Sequence, residues 1–360
     1  MTTAHSLAPY LEWAKTRPAA KLDLAGSNIL PCSISDLPGA AGALALDGRN
    51  DEGYAPLIDS IANRYGVESG QVTTAQGASG ANFLVCAALL EPGDEALVET
   101  PGYDPLFAAP RLLGAQVAHF TREVADKFSV DPDRVRRAMT PRTRLIVVTS
   151  PHNPSGVVAG RQALEEIGRI AQSAGAHVLL DEVYVDAAET QRLAALSDGP
   201  FIRTNSLTKS YGLSGLRSGW IISSREIAHR IRRARDVVDG TGSIVAERLA
   251  VLAFQHLERL RKRASEILDA NRPIIRAFLS SRHDLEWNPS AGTTVFPRLR
   301  GVGDTSAFAE RLLCERGTAV VPGQFFQAPQ HIRIGFAGAT DTLRAGLDAI
   351  AAALDAKAWI

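Results

Sequence analysis

The sequence predicts an α/β protein, with a large, mostly parallel sheet sandwiched by helices and a smaller α/β domain beside it. Three observations predict this. Between about residues 70 and 225, short β-branched runs alternate with helical patterns, which implies a parallel sheet covered on both faces. A long helical stretch, mixing apolar and basic residues, then runs from Glu247 to Ser281. Beyond it the pattern returns to mixed α/β.

Each element follows in chain order. Residues 1–40 read as an N-terminal arm joining the small domain. Its "SLAPYLEWAKTRPAAKLDL" sets Pro9, Glu12, Lys15 and Arg17 among the apolar positions, so no signal-peptide core forms. The Gly-, Ala- and Asp-rich segment from Gly39 to Pro56 is a loop into the large domain, residues 41–255. There "EALVET" (Glu95 to Thr100), "RLIVVTS" (Arg144 to Ser150), "HVLLDEVY" (His177 to Tyr184) and "GWIISS" (Gly219 to Ser224) are strands. "RQALEEIGRIAQSAG" is a helix with a glycine cap at Gly175. The longest apolar run, "FLVCAALL", is too short to span a bilayer and reads as a buried helix. The long helix is expected to break near Pro273. Residues 256–360 comprise this interdomain helix and a small C-terminal domain, where "TTVFPRL", "TAVVPG" and "HIRIGFA" are strands and "DTLRAGLDAIAAALDAK" is the closing helix.

Charge narrows the function. There are 39 basic and 39 acidic residues, so the basic excess that polyanion binding demands is missing. Cys32, Cys86 and Cys314 form no CxxC pair, which fits a reducing compartment rather than a disulfide framework or a zinc site. A cytoplasmic protein with no nucleic-acid or membrane partner and no metal is expected.

Four features fall at predicted strand ends or helix starts. The turn Gly77-Ala78-Ser79-Gly80 opens an apolar helix, where backbone N–H groups and the macrodipole favour an anion. It lacks the Walker A pattern, and alone it could be a plain N-cap at Ser79. "TSPHNPSG" is a rigid turn that fixes the Asn153 amide, or merely an Asx-turn. Asp181 ends an apolar strand, where a carboxylate needs a cation or donors; it could also cap a helix. "SLTKSYGLSGLRSGW" holds Lys209 between Ser206 and Arg217, and a nearby arginine would lower the lysine pKa toward the neutral amine that a Schiff base requires.

Together these features meet one demand. Pyridoxal 5'-phosphate needs a lysine for its aldehyde, an acid for its ring nitrogen, donors for its phenolate oxygen, an anion site and a flat side chain against its ring. Lys209 and Asp181 meet the first two needs, and Asn153 with Tyr184 the third. Gly77 to Ser79 with Ser206 and Arg217 meet the fourth, and Tyr103 the last. Gly212, Gly215 and Gly219 would let the backbone pass close to the cofactor.

On these motifs the chain resembles the class I/II aminotransferases, the fold type I pyridoxal-phosphate enzymes, from about Leu22 onward. "SLTKSYGLSGLRSGW", "NPSG" and "DEVY" stand in family order. The resemblance implies that Lys209 forms the Schiff base and shuttles the proton. Asp181 would keep the ring nitrogen protonated, and Asn153 and Tyr184 would bind the phenolate oxygen. Tyr103 would stack on the ring, while Ala78, Ser79, Ser206 and Arg217 hold the phosphate. It also implies that Tyr54 reaches the phosphate of a neighbouring subunit in a homodimer with shared active sites. Arg333 in "HIRIGFA" would clamp the substrate carboxylate, because its planar fork matches a carboxylate; otherwise it is a strand arginine in a surface ion pair. Asn28, in an arm unlike the family's usual opening, is a substrate-side candidate.

The expected reaction moves an amino group from an amino acid to a 2-oxo acid. The same residues would serve a lyase or cyclase working by β/γ-elimination or replacement, as in capreomycidine synthase-like enzymes and β-lyases. A non-catalytic sensor module would carry a DNA-binding domain first, and only the residues before Leu22 precede the family-like part.

Overall fold

The computed structural model describes residues 8–188 and 199–357. The arm holds helix α1 (Pro9–Thr16) and the short strand β1 (Leu22–Asp23). Helix α2 (Ala55–Tyr65) leads into a seven-stranded sheet. Its strands are β2 (Val72–Gln76), β3 (Glu95–Thr100), β4 (Gln116–Thr121), β5 (Thr143–Thr149), β6 (His177–Asp181), β7 (Phe201–Ser206) and β8 (Ser218–Ile222). Their spatial order is β2-β8-β7-β6-β5-β3-β4. Strands β3 to β7 run parallel, and β8 is antiparallel to both of its neighbours. The fold is the α/β sandwich that the sequence predicts.

Side-chain alternation along each strand divides the core. Leu145 and Val147 of β5 join Val98, Leu179, Ile202 and Ile221 on one face, against Leu84 and Val85 of α3 (Gly77–Leu89). Ile146 and Val148 join Leu97, Val178 and Leu180 on the other, against Leu164 and Ile167 of α6 (Arg161–Ser173). Helix α4 (Asp104–Leu112) and α7 (Arg225–Val238) share the first face, and α5 (Pro132–Ala138) the second. None of the described helices is long and apolar enough to cross a membrane.

Three strands carry no apolar signature. The edge strand β4 is mostly exposed or half-buried. In β7, Arg203, Thr204, Asn205 and Ser206 are all buried, and in β2 Thr73 and Thr74 are. Two predicted strands are also shorter than expected: β6 ends at Asp181, and β8 at Ile222.

The long helix does not break at Pro273. The stretch divides instead at His256 into α8 (Ile244–Gln255) and α9 (Leu257–Ser281), with Pro273 inside α9. Pro273 and Asp269, whose carbonyl would have been its partner, are both exposed, so water can satisfy the freed carbonyl.

The remaining strands are short. β9 (Leu285–Glu286) pairs with β11 (Arg298–Leu299), and β10 (Thr294–Val295) and β13 (Val321–Pro322) flank β14 (Ile332–Gly335). β12 (Thr318–Ala319) takes β1 as its parallel partner, so the arm is built into this part of the chain. Helices α10 (Ser306–Arg316) and α11 (Thr340–Asp355) cover it. The arm then reaches the large sheet, where Ile29 N donates to Lys209 O at 3.0 Å and Cys32 N to Gly212 O at 2.9 Å.

Two of the three glycines near Lys209 serve backbone passage, but against protein. A Cβ on Gly212 would lie 2.3 Å from Leu30 O, and one on Gly219 would lie 2.5 Å from the carbonyl carbon of Gly77. Gly215 has nothing within 4 Å of such an atom. Gly219→Ala is therefore expected to lower stability by about 1–3 kcal/mol through overpacking, whereas Gly215→Ala stays within about 0.5 kcal/mol. Urea unfolding of the two variants checks the contrast.

Candidate active site

A cavity of about 420 Å³ opens at the carboxyl ends of β5, β6 and β7. Ligands of open α/β sheets bind at such ends. Among the sequence candidates, Asn28, Ala78, Ser79, Tyr103, Asn153, Asp181, Tyr184, Lys209 and Arg217 line it.

Asp181 ends β6, which is buried from Val178 onward, and is itself buried. Burial pushes its carboxyl above the usual value, and hydrogen bonds from Asn82 and the Val183 N–H, with the Lys209 charge, pull it back. Asn82 Nδ2 donates to Oδ2 at 2.8 Å, and Val183 N to Oδ1 at 3.0 Å. Asn82 in turn accepts from Thr204 Oγ1 at 2.6 Å, so its amide is held from both ends.

Lys209 Nζ donates to Ser27 Oγ at 3.1 Å, and the Tyr184 hydroxyl donates to the same oxygen at 3.0 Å. Burial pushes the lysine down from its ordinary value to about 8. Arg333 adds to the shift, while Asp181 and Tyr10 oppose it, and Arg217 is the smallest of the named influences. The sequence argument put the arginine first. Desolvation outweighs it because Arg217 is exposed and water screens its charge.

The start of α3 and Arg217 form a close-fitting cradle. Helix α3 starts at Gly77, whose φ is +71°, and a Cβ there would lie 2.6 Å from an Arg217 terminal nitrogen. Ser79 does not cap the helix, whose N-cap position is Gln76; it lines the cavity, where its side chain bonds Tyr103. Arg217 itself holds a left-handed φ of +49°. This is a strained conformation for a side-chain-bearing residue, of the kind that collects at functional sites. Thr149 Oγ1, on the same wall, is a buried hydroxyl with no partner among the described residues. A buried acid, an amine with its pKa lowered to about 8, a cradle bearing an arginine and a spare hydroxyl around one cavity fit pyridoxal phosphate.

Asn153 is more than an Asx-turn residue, because its Oδ1 accepts from Arg333 NH1 at 2.9 Å. That leaves its Nδ2 as a donor. Arg333 is fully buried, not a surface ion-pair residue. It lies behind the lining side chains, and NH2 donates to Tyr10 Oη at 2.6 Å and Ala25 O at 2.9 Å. Burial pushes the Tyr103 phenol upward, so its hydroxyl stays protonated.

Two candidates stand elsewhere. Ser206 is buried outside the lining, with its hydroxyl 2.6 Å from Thr208 Oγ1; Thr208 is the residue on the wall. Tyr54 does not line this chain's cavity either, and its N–H donates to Glu247 Oε2 at 2.9 Å.

Comparison with known proteins follows this geometry. The family described as "Aminotransferase class I and II" matches residues 45–350. The chain belongs to that family. This family member is 31% identical to capreomycidine synthase of Streptomyces vinaceus over 98% of this chain and 94% of that protein. It is 27% identical to an aspartate aminotransferase of Thermotoga maritima over 83% of this chain and 81% of that protein. A solved PLP-dependent aminotransferase from Streptococcus suis superposes with a TM-score of 0.90 at 29% identity, covering 97% of each chain. The PLP-dependent cyclase OrfR gives 0.87 at 26% identity, covering 98% of each.

Sequence reading of this aminotransferase-family chain missed four residues. Asn82 had a signal, being the one amide within the apolar helix α3. His152 lies inside a quoted motif; its Nε2 is 2.8 Å from Pro101 O and its Nδ1 2.7 Å from Ser155 Oγ. It thus ties the Asn153 turn to the Tyr103 turn. Burial, with Arg122 nearby, holds this imidazole well below its ordinary value and so neutral. Ser27 and Tyr10 carry no local signal, because only the arm's path brings them in.

Asn82→Ala would leave Asp181 and Thr204 short of a buried partner. It should cost about 1–3 kcal/mol of stability, read by urea unfolding.

Proposed function

We propose that this protein is a pyridoxal-phosphate-dependent aminotransferase that moves an amino group from an amino acid to a 2-oxo acid. The observation that carries the reading is one cavity holding the buried Asp181 carboxylate and the Lys209 amine, whose pKa is about 8. Lys209 would hold the cofactor by its aldehyde, and Asp181 its ring nitrogen. Asn153 Nδ2 and the Tyr184 hydroxyl would donate to its phenolate oxygen. Ala78, Ser79 and Arg217 would take its phosphate, with Ser206 acting through Thr208, and Tyr103 would cover its ring. When bound, the cofactor supplies an electron sink for a bond broken at the substrate's α-carbon.

The chain's own residues do the rest. Arg333, oriented by Asn153, faces the substrate carboxylate and fixes the substrate's orientation. Asn28 borders the substrate from the arm side. Lys209 Nζ, once neutral, takes the α-proton, and as the ammonium it returns that proton. Asp181, whose hydrogen bonds favour its charged form, would stabilise positive charge on the atom facing it. Tyr54 would serve the phosphate of a second copy, which makes the working form a homodimer with shared active sites.

A second reading is favoured by the likeness to capreomycidine synthase over 98% of the chain. In it, the same Lys209 and Asp181 serve a lyase or cyclase acting by β/γ-elimination or replacement. Adding an amino acid alone to the holoenzyme separates the two readings. Transamination predicts stoichiometric conversion to pyridoxamine phosphate, reversed by a 2-oxo acid. Catalytic release of ammonia with no second substrate would reject it in favour of elimination.

The lysine also predicts a pH dependence. The neutral amine is the nucleophile, and its fraction rises as pH increases through about 8. Capture of pyridoxal phosphate by the apoprotein should accelerate across that range, by about tenfold per unit well below it. A rate flat from pH 6 to 9 would contradict the assignment. Arg217→Ala should weaken cofactor retention, measured by dialysis of the holoenzyme.

A further inference from the structure

Tyr10 has no part in the roles above, yet it stands against the proposed carboxylate clamp. It lies on α1, and its backbone N–H donates to the buried Asp104 carboxylate at 2.5 Å, fixing the helix to the first turn of α4. Its ring meets Tyr103 edge-on, with centroids 5.9 Å apart, and packs against Phe326 at 5.5 Å. Leu11, the next residue, lines the cavity.

The hydrogen bonding is unevenly filled. A guanidinium has five N–H donors. In Arg333, NH2 gives one to Tyr10 Oη and one to Ala25 O, NH1 gives one to Asn153 Oδ1, and Nε has no partner among the described residues. Every bidentate face of the fork includes NH2, so a carboxylate cannot take the fork while Tyr10 remains in place. The Tyr10 hydroxyl accepts from Arg333, and among the described residues this is its one hydrogen bond. Its own proton is therefore available for an incoming acceptor.

We propose that the Tyr10 hydroxyl is a ligand of the substrate carboxylate, donating to one oxygen while the remaining NH1 hydrogen of Arg333 reaches the other. This rests on the reading of Arg333 as the carboxylate site. The tyrosine extends the arginine's charge by one hydrogen bond and replaces a bidentate fork with an Arg–Tyr pair.

Tyr10→Phe keeps the ring and removes the hydroxyl. The holoenzyme is titrated with the most reactive amino acid of a panel, with that amino acid's amide, and with butyrate, following the cofactor band. The apparent dissociation constants for the amino acid and butyrate should rise about tenfold or more, the size of one hydrogen bond to a charged group. The limiting bleaching rate should stay within about twofold, and the amide, whose uncharged carbonyl is the weaker acceptor, should lose much less than the acid. Tighter binding in the variant would mean that Tyr10 is a plug which the carboxylate displaces, and would overturn the proposal. Unchanged binding, or equal losses for acid and amide, would overturn it as well. If no amino acid bleaches the wild-type band, the transamination reading fails, while butyrate binding still decides the role of Tyr10.

Discussion

An amine and a carboxylate share one cleft at the end of a sheet buried on both faces, and burial alone would neutralise both. Desolvation raises the Asp181 pKa and lowers that of Lys209. The surrounding structure decides how far each shift goes. Asn82 and the Val183 N–H keep the acid supplied with donors, and Ser27 supplies the amine with an acceptor. The result is a buried acid supplied with hydrogen-bond donors beside an amine whose pKa burial pushes down to about 8.

That cleft depends on tight backbone passages. The Gly219–Gly77 contact brings β8 against the start of α3, and so brings Arg217 against Gly77. The arm crosses from β12 to the Lys209 turn, bonding at Ile29 and Cys32 on the way. Ser27 and Asn28 reach the cavity only because this path is fixed. The site is therefore assembled from the arm, the sheet and the C-terminal strand β14, which supplies Arg333.

Much of this was legible in the sequence. The apolar strands β3, β5, β6 and β8 stand out because strands buried on both faces are nearly continuous hydrophobic runs. Asp181 and Asn153 each follow such a run, and Lys209 stands in a turn before one. The strand β7 was not legible, because its buried Arg203, Thr204 and Asn205 find partners that only the tertiary structure provides; Arg203 pairs with Glu182 at 2.9 Å. The cause of the Lys209 shift was misassigned for a related reason. Sequence reveals a neighbouring charge, but not the depth of burial that outweighs it. Tyr10 and Ser27 were invisible because their importance comes from contacts with residues far along the chain.

The central claim is that Lys209, of all the lysines, carries the covalent chemistry. Borohydride reduction of the holoenzyme, followed by proteolysis and mass spectrometry, tests it directly. The account predicts a single phosphopyridoxyl label, on the peptide containing Lys209. A label confined to another lysine, or no label in protein that retains its cofactor, would contradict it.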